Sequence, residues 1–93
     1  MQDKDRTAVA LAIDVALMKR GGDRYYHFVF KLRNSYGCEI IDCYDKPQYL
    51  KNALKEVYGN EYGSIIEDIK LEFGDSVEEG IAAFLDILEK NSV

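Results

Sequence analysis

Apolar residues recur along this chain mostly at the three-and-four spacing of amphipathic helices. In the first segment Ala8, Leu11, Ala12, Val15 and Met18 fall at helical spacing, and Asp5 or Thr7 can cap the start. Ile13, Ala16 and Leu17 add a second apolar face, so the pattern predicts a first helix buried on two sides. Lys19 and Arg20 suit its C-terminus, where the peptide dipoles favour cations, and Gly21-Gly22 stops it.

The next element, Arg24 to Ser35, reads two ways. Tyr25-Tyr26-His27-Phe28-Val29-Phe30 is rich in β-forming residues and fits a strand. Against that, Tyr26, Val29, Phe30 and Arg33 recur at i, i+3, i+4 and i+7, and the run ends at Tyr36-Gly37, a left-handed helix stop. The helix is the preferred reading. Cys38 to Asp45, with Ile40-Ile41, reads as a buried connector of about one helical turn. Pro47 sits where a first helical turn tolerates it, with Asp45 or Lys46 as cap. Leu50, Ala53, Leu54, Val57 and Tyr58 then form a core stripe that ends at Gly59-Asn60. Tyr62, Ile65, Ile66, Ile69 and Phe73 repeat it, up to Gly74. Ser76-Val77-Glu78-Glu79 has the form of a capping box, and Val77, Ile81, Phe84, Leu85 and Leu88 supply the last stripe. The expected fold is all-α: a compact bundle of about five short helices spanning residues 1–93 as one domain, with each stripe covered by another.

Length and composition agree with one small core. Ninety-three residues allow one domain, 47% are hydrophobic and 31% charged, and there is a single proline and no low-complexity linker. Seventeen acids against twelve bases give a formal charge of −5, which repels phosphates and anionic headgroups. The basic residues Lys19, Arg20, Arg24, Lys31 and Arg33 are diluted by acids, so a helix-turn-helix binder of nucleic acid lacks its basic face. No stretch approaches the ~20 apolar residues of a membrane span. Acids among the first six residues are wrong for a secretory signal, and two cysteines then suit a reducing cytoplasm.

The stretch from Asp45 to Gly59, DKPQYLKNALKEVYG, followed by Ile65-Ile66-Glu67-Asp68-Ile69 and preceded by an aromatic-rich helix ending at Tyr36-Gly37, resembles the archaeal nitrosopumilus output-domain family over nearly the whole chain. That resemblance implies an all-helical signalling output domain acting through contacts. It brings no catalytic residues with it. Cys38 and Cys43 stand outside the pattern, and no sensor, receiver or kinase segment accompanies it here.

Candidate chemistry is sparse. His27 is the sole histidine and has no partner to orient it, so it reads as a half-buried structural residue. A zinc site from His27, Cys38, Cys43 and Asp42 or Asp45 can be drawn, but zinc sites favour closer cysteine pairs with a second pair following. Buried thiols acting as small apolar groups are the preferred account. The acidic pairs Glu67-Asp68 and Glu78-Glu79 diverge on a helix and suit a solvated face. Gly21-Gly22 lacks the signature of a phosphate loop. Seven tyrosines are many for this length. Tyr26, Tyr58 and Tyr62 fall on core stripes, which leaves Tyr25, Tyr44 and Tyr49 as candidates for a partner-binding patch.

The expectation is therefore a non-catalytic protein-interaction module without cofactor, metal, nucleic acid or membrane. It docks a protein partner, preferably one with a basic surface, or another copy of itself. The alternative is a small-molecule or metal-binding helical domain, its pocket near the aromatic helix and the cysteine connector.

Overall fold

The computed structural model describes residues 3–74 and 77–90. Five α-helices follow one another: α1 Asp3–Met18, α2 Gly22–Lys31, α3 Pro47–Tyr58, α4 Tyr62–Phe73 and α5 Glu79–Glu89. No strand occurs among the described residues, so the aromatic run from Tyr25 to Phe30 is helical. The fold is the expected all-α bundle. Ser76 lies outside the described residues, and with it the capping box; α5 starts after Glu78.

Breaks in the apolar pattern mark the joints. Gly21, at φ +117°, turns the chain from α1 into α2. Few residues other than glycine adopt that backbone. Asp23 lies in the first turn of α2, where its negative charge is favoured by the positive end of the helix dipole. α2 runs on into a π-helical turn, Leu32–Tyr36, closed by Gly37 in the left-handed region. The cysteine connector forms a 3-10 turn, Ile40–Tyr44, at whose start the Asp42 carboxylate accepts the Glu39 backbone N–H at 3.0 Å. Pro47 occupies the first turn of α3. A short 3-10 turn, Gly59–Glu61, leads directly into α4.

A single core lies between the helices. α1 contributes Val9, Ala12, Ile13, Ala16 and Leu17; α2 gives Phe28, and Leu32 follows from the π turn. Leu50, Ala53, Leu54 and Tyr58 of α3, Ile65, Ile66 and Ile69 of α4, and Ile81, Phe84, Leu85 and Leu88 of α5 complete it. The stripes read for α3, α4 and α5 are thus the buried ones, with Val57, Tyr62, Phe73 and Val77 packed against the margin. Cys38 and Cys43 are both buried free thiols that fill space beside Ile40. Lys51 is also buried, its alkyl stem serving as core cover.

Two expectations need correction. The face of α2 is rotated from the one read in the sequence: Phe28 and Leu32 point inward, whereas Tyr26 and Phe30 are exposed. The run has aromatic residues on nearly every side, so burial follows where α1 and α3 lie rather than the i, i+3, i+4 series. α1 is also covered on only one side. Leu11 is 61% exposed and Met18 49% exposed, so these two face outward while Val9, Ala12, Ile13, Ala16 and Leu17 are buried.

Candidate interaction surface

α1 is held by ionic and polar contacts on both flanks. On one side Tyr25 donates its hydroxyl to Asp14 at 2.8 Å and brings α2 alongside. On the other, Lys19 pairs with Glu72 at 3.0 Å, and Arg20 spans Asp68, Glu61 and Ser64 of α4 and the turn before it. These ties leave the outward side of α1 uncovered. Leu11 and Met18 form its ridge.

A groove lies on each side of that ridge. Between α1 and α4, Ala8, Leu11, Ala12 and Val15 face Phe73 and Glu72 across a hollow of about 240 Å³. Between α1, α2 and the cysteine connector, Ala10, Asp14, Tyr25, Val29, Ile40 and Ile41 line a second of about 300 Å³. Arg33 and Glu39, ion-paired at 2.8 Å, also line the second. Exposed apolar side chains grouped with concave neighbours are the usual mark of a docking surface.

The three tyrosines named as partner-binding candidates are not brought together by one contact. Tyr25 is half-buried and engaged with Asp14, its ring edge-on to Tyr26 at 5.4 Å. Burial, then the Asp14 carboxylate, push its hydroxyl up to about 12. Tyr44 is half-buried, its ring 5.4 Å from Phe84 with the Arg6 guanidinium over it at 5.9 Å. Burial and the hydrogen bond to Asp5 raise its pKa. Tyr49 is exposed and stacks on Tyr36 at 5.1 Å, and Tyr36 donates to Glu56 at 3.3 Å. Tyr25 and Tyr44 thus spend their hydroxyls inside the protein, and Tyr49 keeps a free ring face.

His27 is exposed rather than half-buried, since α2 turns it away with Tyr26. The Cys43 thiol donates to the Glu39 carbonyl at 3.7 Å, with Cys38 near it. Burial pushes both thiols up, Cys43 most strongly. A thiol so held is a weak nucleophile and a weak metal ligand. Among the described residues, no three His, Cys, Asp or Glu side chains are grouped to hold a metal ion, so the drawn zinc set is not assembled. Among the same residues, no helix is long and apolar enough to cross a membrane.

Leu11 and Met18 were hidden in the sequence by their placement on a stripe assigned to burial. The signal that could have found them is surplus. α1 carries more apolar residues than one packed face can absorb.

Comparison with family models, with curated proteins and with solved structures returns no match for this chain.

Proposed function

We propose that this chain is a non-catalytic protein-docking module whose binding surface is the outward face of α1. One observation carries the reading: Leu11 and Met18 stand exposed along a helix whose other side is fully buried, next to a groove walled by Ala8, Val15 and Phe73. Leaving large aliphatic groups in water costs roughly 1.5–3 kcal/mol each relative to burial, which a docked partner recovers. Asp14, Lys19 and Arg20 beside the face are engaged in holding the fold together. A signalling output role, as the family resemblance implies, is of this kind: transmission by contact. The cytoplasmic setting expected from the sequence belongs to the same proposal.

The test is a photo-crosslinking amino acid placed at Leu11, with a second at Phe30 as an exposed control on α2. A discrete protein adduct from position 11, competed by excess unlabelled chain but not by its Leu11→Lys variant, supports the reading. Absence of any adduct from position 11 and from a matching probe at Met18 defeats it.

A further inference from the structure

We propose that Cys38 and Cys43 are a redox couple: a small organic disulfide of the glutathione kind closes a bond between them, and a thiol reductant reopens it. Their places in the fold carry the proposal. Glu39 is the N-cap of the 3-10 turn Ile40–Tyr44, and the Asp42 carboxylate, at the third position of that turn, accepts the Glu39 backbone N–H at 3.0 Å. Cys38 is therefore the residue before the cap, and Cys43 the fourth residue of the turn. Side chains at those two positions pack against each other across a capped helix start, as a hydrophobic staple. Here both halves of the staple are thiols.

Backbone hydrogen bonds anchor both residues. The Cys38 N–H donates to the Leu32 carbonyl at 3.2 Å, which ties it to the π turn, and the Cys43 carbonyl accepts the Lys46 N–H at 3.1 Å on the approach to α3. The Cys43 Sγ lies 3.7 Å from the carbonyl oxygen of Glu39, the residue bonded to Cys38. Both thiols are free and both sit in the core. Any two apolar side chains could serve as the staple, but only two cysteines can also be joined. A disulfide needs its sulfurs about 2 Å apart and its Cα atoms within roughly 7 Å, which packed neighbours reach with little backbone movement.

The exchange balances in two steps. Cys38 keeps 6% exposure while Cys43 has none, so Cys38 loses its proton first and attacks one sulfur of the small disulfide. That S–S bond breaks, a thiolate leaves and takes up the proton, and Cys38 carries a mixed disulfide. Cys43 then loses its proton and attacks the Cys38 sulfur; the new S–S bond forms as the second thiolate leaves and is protonated. The protein thiols give up two electrons, and one organic disulfide becomes two thiols. A buried Cys43 is a weak nucleophile, but its target sits at the other half of the staple, and proximity offsets the weakness. The bond encloses Ile40 and Ile41, which line the groove beside α1, so oxidation fixes that wall.

Equilibration of the full chain with mixtures of reduced and oxidised glutathione, followed by alkylation of free thiols and mass spectrometry, tests this. The expected product is a monomer lighter by about 2 Da, the two thiol hydrogens, restored by dithiothreitol. Peptide mapping places the bond between Cys38 and Cys43. The same titration in concentrated urea gives the reference. Folding is expected to raise the effective concentration of one thiol toward the other by about tenfold or more, because the staple holds them together. This comparison uses the wild-type chain alone and so does not depend on a variant that folds. Cys43→Ala is expected to stop at the mixed disulfide on Cys38, and Cys38→Ala to react about tenfold more slowly or less, with circular dichroism confirming that both fold. An effective concentration no higher in the folded chain than in urea overturns the proposal. So does a product that is only a glutathione adduct or only a bond between two chains. Equal reaction rates of the two single-thiol variants overturn the order of attack.

Discussion

Arg20 grips Asp68 with two nitrogens, Nε at 3.2 Å and Nη2 at 2.8 Å, and so locks the chain just beyond α1 onto α4. Its remaining nitrogen, Nη1, reaches Glu61 at 2.8 Å, and Arg24 holds the other oxygen of that carboxylate at 2.7 Å. Only the planar five-donor guanidinium satisfies all these acceptors from one position. The Asp68 hydrogen bond, opposed in part by burial, raises the Arg20 pKa, so its charge is fixed at any ordinary pH. Arg20→Ala should lower stability by about 1–3 kcal/mol, because charge-assisted bonds are lost and Asp68 is left half-buried without its partner. Arg20→Lys should restore only part of that, since one ammonium cannot serve Asp68 and Glu61 together. Urea unfolding midpoints read both values. Equal stability of the lysine variant and the wild type would show that the fork geometry is irrelevant.

Tyr58 presents the opposite case. Its hydroxyl is buried and has no hydrogen-bond partner among the described residues, although the ring packs near Phe28 at 6.4 Å under the Arg24 guanidinium at 5.3 Å. The ring therefore contributes and the hydroxyl costs. Tyr58→Phe should be neutral or should stabilise by up to about 1 kcal/mol, because a desolvated polar group is removed. A domain of this size would gain up to roughly 4–8 °C in melting temperature. Tyr58→Ala should cost about 3–5 kcal/mol by opening a cavity. A clear loss of stability in the phenylalanine variant would mean that the hydroxyl is satisfied after all.

Gly80 accounts for Tyr44, one of the residues first read as a partner contact. A Cβ at position 80 would lie 2.8 Å from the Tyr44 hydroxyl and 3.0 Å from an Asp5 carboxylate oxygen. The tyrosine cannot easily yield, since its ring lies between Phe84 and Arg6. Alanine is the better helix former by up to about 1 kcal/mol, but overpacking costs typically about 1–3 kcal/mol. Gly80→Ala should therefore lower the melting temperature, against the propensity scale. Adding Tyr44→Phe should recover much of the loss by removing the clashing oxygen. If Gly80→Ala stabilises alone, Tyr44 does not close the seam against α5, and its ring is open to a partner.

The elements of the fold were legible wherever one face of a helix was unambiguously apolar. Leu50, Ala53, Leu54 and Tyr58 are such a face, as are Ile65, Ile66 and Ile69, and both are buried as read. α2 was legible as a helix but not in its orientation. Tyr25, Tyr26, Phe28 and Phe30 offer several equivalent faces, and the choice is made by contacts distant in sequence, such as Tyr25 with Asp14. The π turn at Leu32–Tyr36 inserts without any residue signature. The surface on α1 was half legible: its surplus of apolar residues shows in the sequence, but which of them stay uncovered depends on where α2 and α4 come to rest.

Alkaline pH should unfold this protein through its tyrosines. Burial, with the Asp14 hydrogen bond second, pushes Tyr25 up to about 12; burial alone does the same for Tyr62, which donates to the Leu88 carbonyl at 2.8 Å. In the unfolded chain such groups ionise near pH 10. The folded state holds these protons more tightly than the unfolded state does. Their contribution to stability is therefore complete below about pH 10 and is lost as pH rises from there through about 12. Tyrosinate absorbance at 295 nm and helical ellipticity at 222 nm should consequently share a late step, with part of the absorbance change withheld until the helices melt. Tyr25→Phe removes one of the protons that the folded state holds more tightly, while those of Tyr62, Tyr44, Cys38 and Cys43 remain. It should make stability fall less steeply with pH across that window, even though losing the Asp14 bond lowers stability at neutral pH. A variant with the same alkaline slope as the wild type would show that Tyr25 ionises freely in the folded protein, and that α1 and α2 are not joined through Asp14.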